Sequence, residues 1–320
     1  MKNCENENPS KVSVCVVTYN QEKYIAGCLE SLVGQVVNFK YEIIVGDDFS
    51  TDGTREILIS LQRKYPKLIR LNFQACNVGA IANMVSTYRL ATGKYISHID
   101  GDDFALENKL QKQFNALEED SNCVICSHDM LIVDSEGKEA NTSFRRHKKK
   151  INSLVDLYSK LPFFAHSSKM FLNDLDDSYW ENFTPETIDI EIHVKQSMKG
   201  NIYHLDDVLG GYRSMVGISL KNNCVNPALP NATDRVFAES LLNPDLNHRR
   251  IKRSYAAAVF SYAYQSAIYG DKKGVVDYID KSIRISYVSP FQILFKCLSS
   301  QPWLLVCLAR LRAKMQGYKI

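Results

Sequence analysis

Apolar and polar positions alternate over the first 120 residues in a way that predicts strand and helix four times in turn. Val12 to Val17 is a continuous apolar run, as a strand buried on both faces requires. It ends in Thr18-Tyr19-Asn20, after which Ile25, Cys28, Leu29, Leu32 and Val33 fall on one face of a helix. Tyr41 to Val45 is the second strand, closed by Gly46-Asp47-Asp48-Phe49-Ser50-Thr51-Asp52-Gly53-Thr54 and followed by a helix with Ile57, Leu58 and Leu61 inward. Leu68 to Phe73 forms a third strand, and Asn77-Val78-Gly79 turns into a helix carrying Ile81, Met84, Val85 and Tyr88. Tyr95 to Ile99 is the fourth strand, and Leu106, Leu110, Phe114 and Leu117 mark the helix behind it.

Such alternation builds a mostly parallel sheet covered by helices on both faces, and ligands gather beyond the carboxyl ends of its strands. Three polar clusters sit at those ends: Thr18–Asn20, Asp47–Asp52 and Asp100–Asp103. The last places three carboxylates in four positions on a turn. Crowded carboxylates repel one another, so the turn suits a hard divalent cation held by oxygen ligands, or an acidic loop that caps the next helix. Asp52-Gly53-Thr54 reads first as a turn and helix cap.

Beyond residue 120 the pattern is less regular. Cys123–Cys126 and Met130–Val133 read as two strands, Ser153–Tyr158 and Thr187–Lys199 as helices, and Asn201–Leu205 as a strand. Arg145 to Lys150 is a run of basic residues, either a solvated loop or an attractor of anions. Lys221 to Pro230 reads as a linker, and helices follow over Arg249–Tyr269, Lys272–Ile285 and Pro290–Gln316, the last broken near Ser299–Pro302. Trp303 to Lys314 mixes apolar and basic residues, as a helix on a membrane surface or one docked on its own domain would.

Composition narrows the class. The net charge of +3 gives no argument for nucleic acid, and no stretch approaches the length of a membrane span. Nine cysteines without a regular framework, behind a polar start, point to reduced thiols in the cytoplasm. Cys123 and Cys126 have CxxC spacing without a second pair, and read as strand residues. His166 and His193 read as lone structural histidines.

Five pieces, in order and over about residues 11 to 220, resemble the family 2 glycosyltransferases: Val14-Cys-Val-Val-Thr18-Tyr-Asn20, Asp47-Asp48-Phe-Ser50-Thr-Asp52-Gly53-Thr54, Asn77-Val-Gly79, Gly93 to Asp103, and Leu205 to Arg213. These are inverting enzymes of the GT-A fold that use nucleotide-sugar donors. The resemblance implies an α/β fold, a Rossmann-like, mostly parallel sheet flanked by helices, with a C-terminal helical extension. It implies that Thr18, Tyr19, Asn20, Glu22, Asp48, Asn77, Asp100 and Gly101 bind the nucleotide sugar. Asp102 would hold Mn²⁺ or Mg²⁺, and Asp103 would support it. Asp189 would be the catalytic base, with Glu186 and Glu191 as neighbouring alternatives and Arg213 as a further site residue. Phe104-Ala105 stands where many relatives carry an aromatic pair, and Met215 and Val216 where many carry a His.

The resulting expectation is a polar tail over 1–11, a glycosyltransferase domain over 12–220 and a helical region over 221–320. The domain would have a nucleotide-binding half, 12–104, and an acceptor-binding half, 105–220. The chain would move sugar, from a UDP-sugar by preference, to a glycan or lipid-linked glycan in bacterial polysaccharide synthesis. It would work in the cytoplasm, on the inner face of the membrane if its basic and amphipathic stretches bind there. Two rival readings are a sugar nucleotidyltransferase and a catalytically silent nucleotide-sugar binder. The first needs a glycine-rich, basic loop where Tyr19-Asn20-Gln21-Glu22 stand.

Overall fold

In the computed structural model of the protein, the first eight expected elements form in order. They are β1 (Val12–Thr18), α1 (Ile25–Val33), β2 (Tyr41–Asp47), α2 (Thr54–Lys64), β3 (Ile69–Phe73), α3 (Ala80–Tyr88), β4 (Tyr95–Asp100) and, after the two-residue β5 (Phe104–Ala105), α4 (Lys109–Glu119). The structure describes residues 10–144, 147–174, 177–181, 183–214 and 224–315. Most of the N-terminal tail, Arg145 and Arg146 of the basic run, Met215, Val216 and the first part of the expected linker lie outside them.

The remaining strands are β6 (Cys123–Val133), β7 (Glu139–Phe144), β8 (Ile151–Asn152), β9 (Met170–Leu172) and β10 (Asn201–Arg213). Between them lie α5 (Leu154–Ser159), α6 (Asp177–Glu181) and α7 (Asp189–Ser197). All strands join one sheet in the order β3-β2-β1-β4-β9-β6-β10-β5, with β7 on β6 and β8 on β10. The four strands β3, β2, β1 and β4 are parallel, whereas β9 runs antiparallel between β4 and β6. Both faces of the β1–β4 region are buried, so Val12, Val14, Val16, Ile43, Val45 and Ile99 enter one core with α1, α2 and α4.

Two sequence expectations are corrected here. Cys123–Cys126 and Met130–Val133 belong to a single strand, because the polar residues between them are buried and bonded. Ser127 Oγ lies 2.9 Å from His204 Nδ1, and His204 Nε2 lies 3.3 Å from Asp129. Likewise β10 runs on past Leu205 to Arg213, through register shifts at Leu205/Val208 and Val208/Gly211. A Cβ on Gly211 would stand 2.1 Å from the Phe104 ring, so only glycine lets that ring lie against the strand.

Internal contacts divide the chain into two compact units. One comprises Met1–Asn152, Phe163–Thr187 and Gln196–Val216, and holds the whole sheet. The other comprises Ser153–Pro162, Ile188–Lys195 and Gly217–Ile320. It is built of α8 (Ala228–Leu242), α9 (His248–Tyr269), α10 (Lys272–Ile285), α11 (Pro290–Cys297) and α12 (Pro302–Met315), with α5 and most of α7. Gly270, at a φ of 83° that favours glycine, ends α9, and the Asp271 side chain accepts from Gly274 N to start α10. Among the described residues no helix is long and apolar enough to cross a membrane.

Candidate active site

Parallel strands β1, β2 and β4 end side by side, Thr18 against Asp47 and Val17 against Asp100. The three polar clusters of the sequence therefore meet at one edge of the sheet. Beyond it, the loops after β1 and β2 are stitched together. Asn20 N donates to Ser50 Oγ at 2.9 Å, Thr51 N to Asn20 Oδ1 at 2.8 Å, and Gly53 N to Glu22 Oε2 at 2.7 Å. Asn20 and Glu22, expected at the nucleotide, thus shape this loop pair with their side chains. Tyr19 projects outward from the same loop and is exposed.

Asp47 and Asp48 divide their work. Asp47 is fully buried and accepts from Ser50 N and Arg55 Nε. The Arg55 guanidinium lies 5.0 Å from the Phe49 ring centroid and 4.9 Å from that of Phe73. Asp48 accepts from Val78 N at 2.7 Å and Gly79 N at 3.0 Å, while Asn77 Nδ2 donates to its carbonyl at 3.2 Å. Gly79, at φ 89°, gives the turn a backbone that side chains disfavour. The motif Asn77-Val78-Gly79 is thereby folded around Asp48.

The acidic turn is held from several sides. Gly101 N donates to Val17 O at 2.9 Å, and Asp103 N to Asp100 O at 3.0 Å. Asp100 Oδ2 accepts from Ser167 Oγ at 3.1 Å, and Ser167 Oγ accepts from Asp100 N at 3.0 Å. The other Asp100 oxygen lies 3.2 Å from His98 Nε2, and His98 Nδ1 lies 2.7 Å from the Tyr88 hydroxyl. Burial holds the His98 imidazole below its usual range, so it is neutral. An ionised Asp100 only accepts, so Nε2 carries the ring proton and Nδ1 accepts from Tyr88. Burial pushes Asp100 up, but the His98 and Ser167 bonds outweigh it and hold the carboxyl below the carboxylate range.

Asp102 and Asp103 are pushed the other way. Desolvation and the Asp100 charge raise Asp102 to about 6, and the same causes, with Asp102 added, raise Asp103 well above its usual value. Asp103 Oδ1 accepts from Arg213 N at 2.8 Å, and Arg213 Nε donates to Asp102 O at 2.9 Å. Asp103 Oδ2 is buried without a hydrogen-bond partner among the described residues, the nearby Ser167 hydroxyl being turned to Asp100. Below them the fully buried Lys109 donates to Ser167 O at 2.7 Å, and burial lowers its ammonium to about 8.

The turn crowds three carboxylates together, and its donors are all carboxylate oxygens, which fits Mg²⁺ or Mn²⁺. One or two of them, with waters and phosphate oxygens completing the shell, is the arrangement that fits.

Asp189 is the first residue of α7, half-buried, with Oδ1 accepting from Ile190 N at 2.9 Å. Glu191 is held otherwise: Ile188 N donates to it at 3.0 Å, and Arg235 grips it with Nε at 2.8 Å and Nη2 at 2.9 Å. Glu186 is exposed. His98, Ser167 and Lys109 are the supporting residues absent from the sequence reading. Only His98 carried a signal: two residues before Asp100 in a strand, it shares that residue's face.

Residues 13–180, just over half of the chain, match the description "Glycosyl transferase family 2". An uncharacterized protein of Mycobacterium tuberculosis is 28% identical over 204 residues, covering 63% of this chain. The chain spans 58% of that relative's length. Residues 1–349 of Staphylococcus aureus TarS, solved with UDP-GlcNAc, superpose with a TM-score of 0.67 at 20% identity, over 96% of this chain and 92% of that one. A mannosyltransferase of Pyrobaculum calidifontis, solved with GDP-Man and Mn²⁺, gives 0.53 at 14% identity, over 98% and 89%. The two structural likenesses show the GT-A fold, and by the match over residues 13–180 the protein belongs to glycosyl transferase family 2.

Proposed function

We propose that this chain transfers a sugar from a nucleoside diphosphate sugar to a hydroxyl acceptor, with inversion at the anomeric carbon. The observation that carries this reading is the meeting of the β1, β2 and β4 ends around Asp100, Asp102 and Asp103, on a family 2 scaffold. A UDP-sugar is the favoured donor, supported by the TarS structure with UDP-GlcNAc. The acceptor is a glycan or lipid-linked glycan.

Thr18 and Tyr19 frame the base, and Asp48, held by the 77–79 turn, faces it. Asp100, aimed by His98 and Ser167, accepts from a ribose hydroxyl. Asp102 would hold a divalent cation, with Asp103 behind it, and the ion would supply charge neutralisation at the diphosphate. Asp189 takes the acceptor's proton as its oxygen bonds to the anomeric carbon. The bond from that carbon to the diphosphate breaks on the opposite face, its electrons leaving with the phosphate oxygen. Arg235 engages both carboxylate oxygens of Glu191, through Nε and Nη2.

The test is a panel of nucleotide sugars with Mn²⁺, read by thermal shift and by nucleoside diphosphate release. One base and sugar should stabilise the protein and be turned over, with release abolished by EDTA. Pyrophosphate release from a nucleoside triphosphate and a sugar phosphate, with no nucleotide sugar turned over, would contradict the reading.

A further inference from the structure

The helical unit carries a feature that sugar transfer does not use. α12 packs Leu305, Val306 and Ala309 inward, onto a core that also takes Phe295 and Leu298 of the α11 region. Yet its outward arc is apolar too, holding Trp303, Cys307, Leu308 and Leu311 at i, i+4, i+5 and i+8. On α11, Phe291, Ile293 and Leu294 likewise face water. These large side chains are between 46 and 58% exposed. A monomer seldom leaves so much apolar surface bare on two consecutive helices.

Charge around this face is mainly positive, Asp280 being paired with Lys296 and Asp234 with Lys281. From Lys281 to Ile320 the chain has seven Lys and Arg residues and no Asp or Glu. The exposed start of α9 adds Arg249, Lys252 and Arg253, with no acid in its first turn, while Arg250 pairs with Asp156. Cations at a helix N-terminus oppose its dipole, so the cluster costs stability where it stands. Arg253 Nη2 reaches Val288 O at 3.3 Å, which ties this cluster to the segment leading into α11.

We propose that α11 and α12 dock the protein on an anionic lipid bilayer. Trp303, Leu308 and Leu311 enter the headgroup boundary, and the α9 cations meet the lipid phosphates. An apolar face flanked by the exposed Arg249, Lys252 and Arg253, and by more cations than carboxylates along the chain from Lys281 on, fits a negatively charged bilayer. A second copy of this chain, carrying the same positive charge, would be repelled.

The full chain is mixed with vesicles of phosphatidylcholine alone, or of phosphatidylcholine and phosphatidylglycerol at about 3:1, and co-sedimented. Binding should be at least about tenfold tighter to the anionic vesicles and weaken at high salt. Of the two tryptophans, Trp180 is buried and Trp303 exposed, so emission should shift to the blue on binding. Trp303→Ser/Leu308→Ser/Leu311→Ser should abolish binding, and Arg249→Glu/Lys252→Glu should weaken it at least about tenfold. Both variants alter exposed side chains and should melt as the wild type does. If the triple variant is unfolded, the Trp303 shift of the wild type decides. No binding, equal binding to both vesicles, or a dimer that the triple variant dissociates would each overturn the proposal.

Discussion

Replacing His98 by Phe removes both hydrogen bonds that run from Tyr88 to Asp100. The ring shape is nearly kept, so the change isolates polar contacts from packing. The Tyr88 hydroxyl, 2.7 Å from Nδ1 and buried, is left without its acceptor, which costs about 2 kcal/mol. Asp100 loses a donor at 3.2 Å, but its side chain is 37% exposed and water replaces part of that bond, so this adds about 1 kcal/mol. The expected loss of about 3 kcal/mol corresponds to a fall in Tm of roughly 6–10 °C by circular dichroism. Removing the stranded hydroxyl as well, in His98→Phe/Tyr88→Phe, should return about 1.5 kcal/mol. Nucleoside diphosphate affinity should fall in both variants, by up to about tenfold, because Asp100 keeps only Ser167 to aim it. If His98→Phe melts within about 1 °C of wild type, or if Tyr88→Phe deepens the loss, the bonded chain is not as described.

Asp189→Asn should cut turnover at least about 100-fold while donor affinity by calorimetry stays within about twofold, and Glu191→Gln should keep most turnover. An equal loss in the Glu191 variant would reassign the base. Gly46→Ala should cost about 2 kcal/mol in a thermal or urea melt, because its Cβ would stand 1.9 Å from Thr87 Oγ1. Adding Thr87→Ala removes that atom but leaves Asn83 Oδ1 at 2.8 Å and Thr87 Cβ at 3.2 Å, so the double variant should recover only part of the loss.

The half of the sheet from β1 to β4 was legible because strands buried on both faces read as apolar runs between amphipathic helices. Its acidic turn was legible because three carboxylates in four residues are unusual at a strand end. What escaped was polar and buried. Ser127, His128 and Asp129 looked like a break in β6, since nothing local announces that His204, 75 residues on, will pair with Asp129. β9 is three residues long and takes its place between β4 and β6 from tertiary pairing alone. Nothing in the sequence singles out Lys109, and only the fold brings Ser167 O to its ammonium.

The proposed transfer requires the Asp100–Asp103 turn to join a divalent ion to a nucleoside diphosphate. Calorimetry of UDP binding with Mn²⁺, with EDTA, and with Asp102→Asn measures this directly. Binding should be tight with Mn²⁺ and fall at least about tenfold both in EDTA and in the variant. Equal affinity in all three would contradict it.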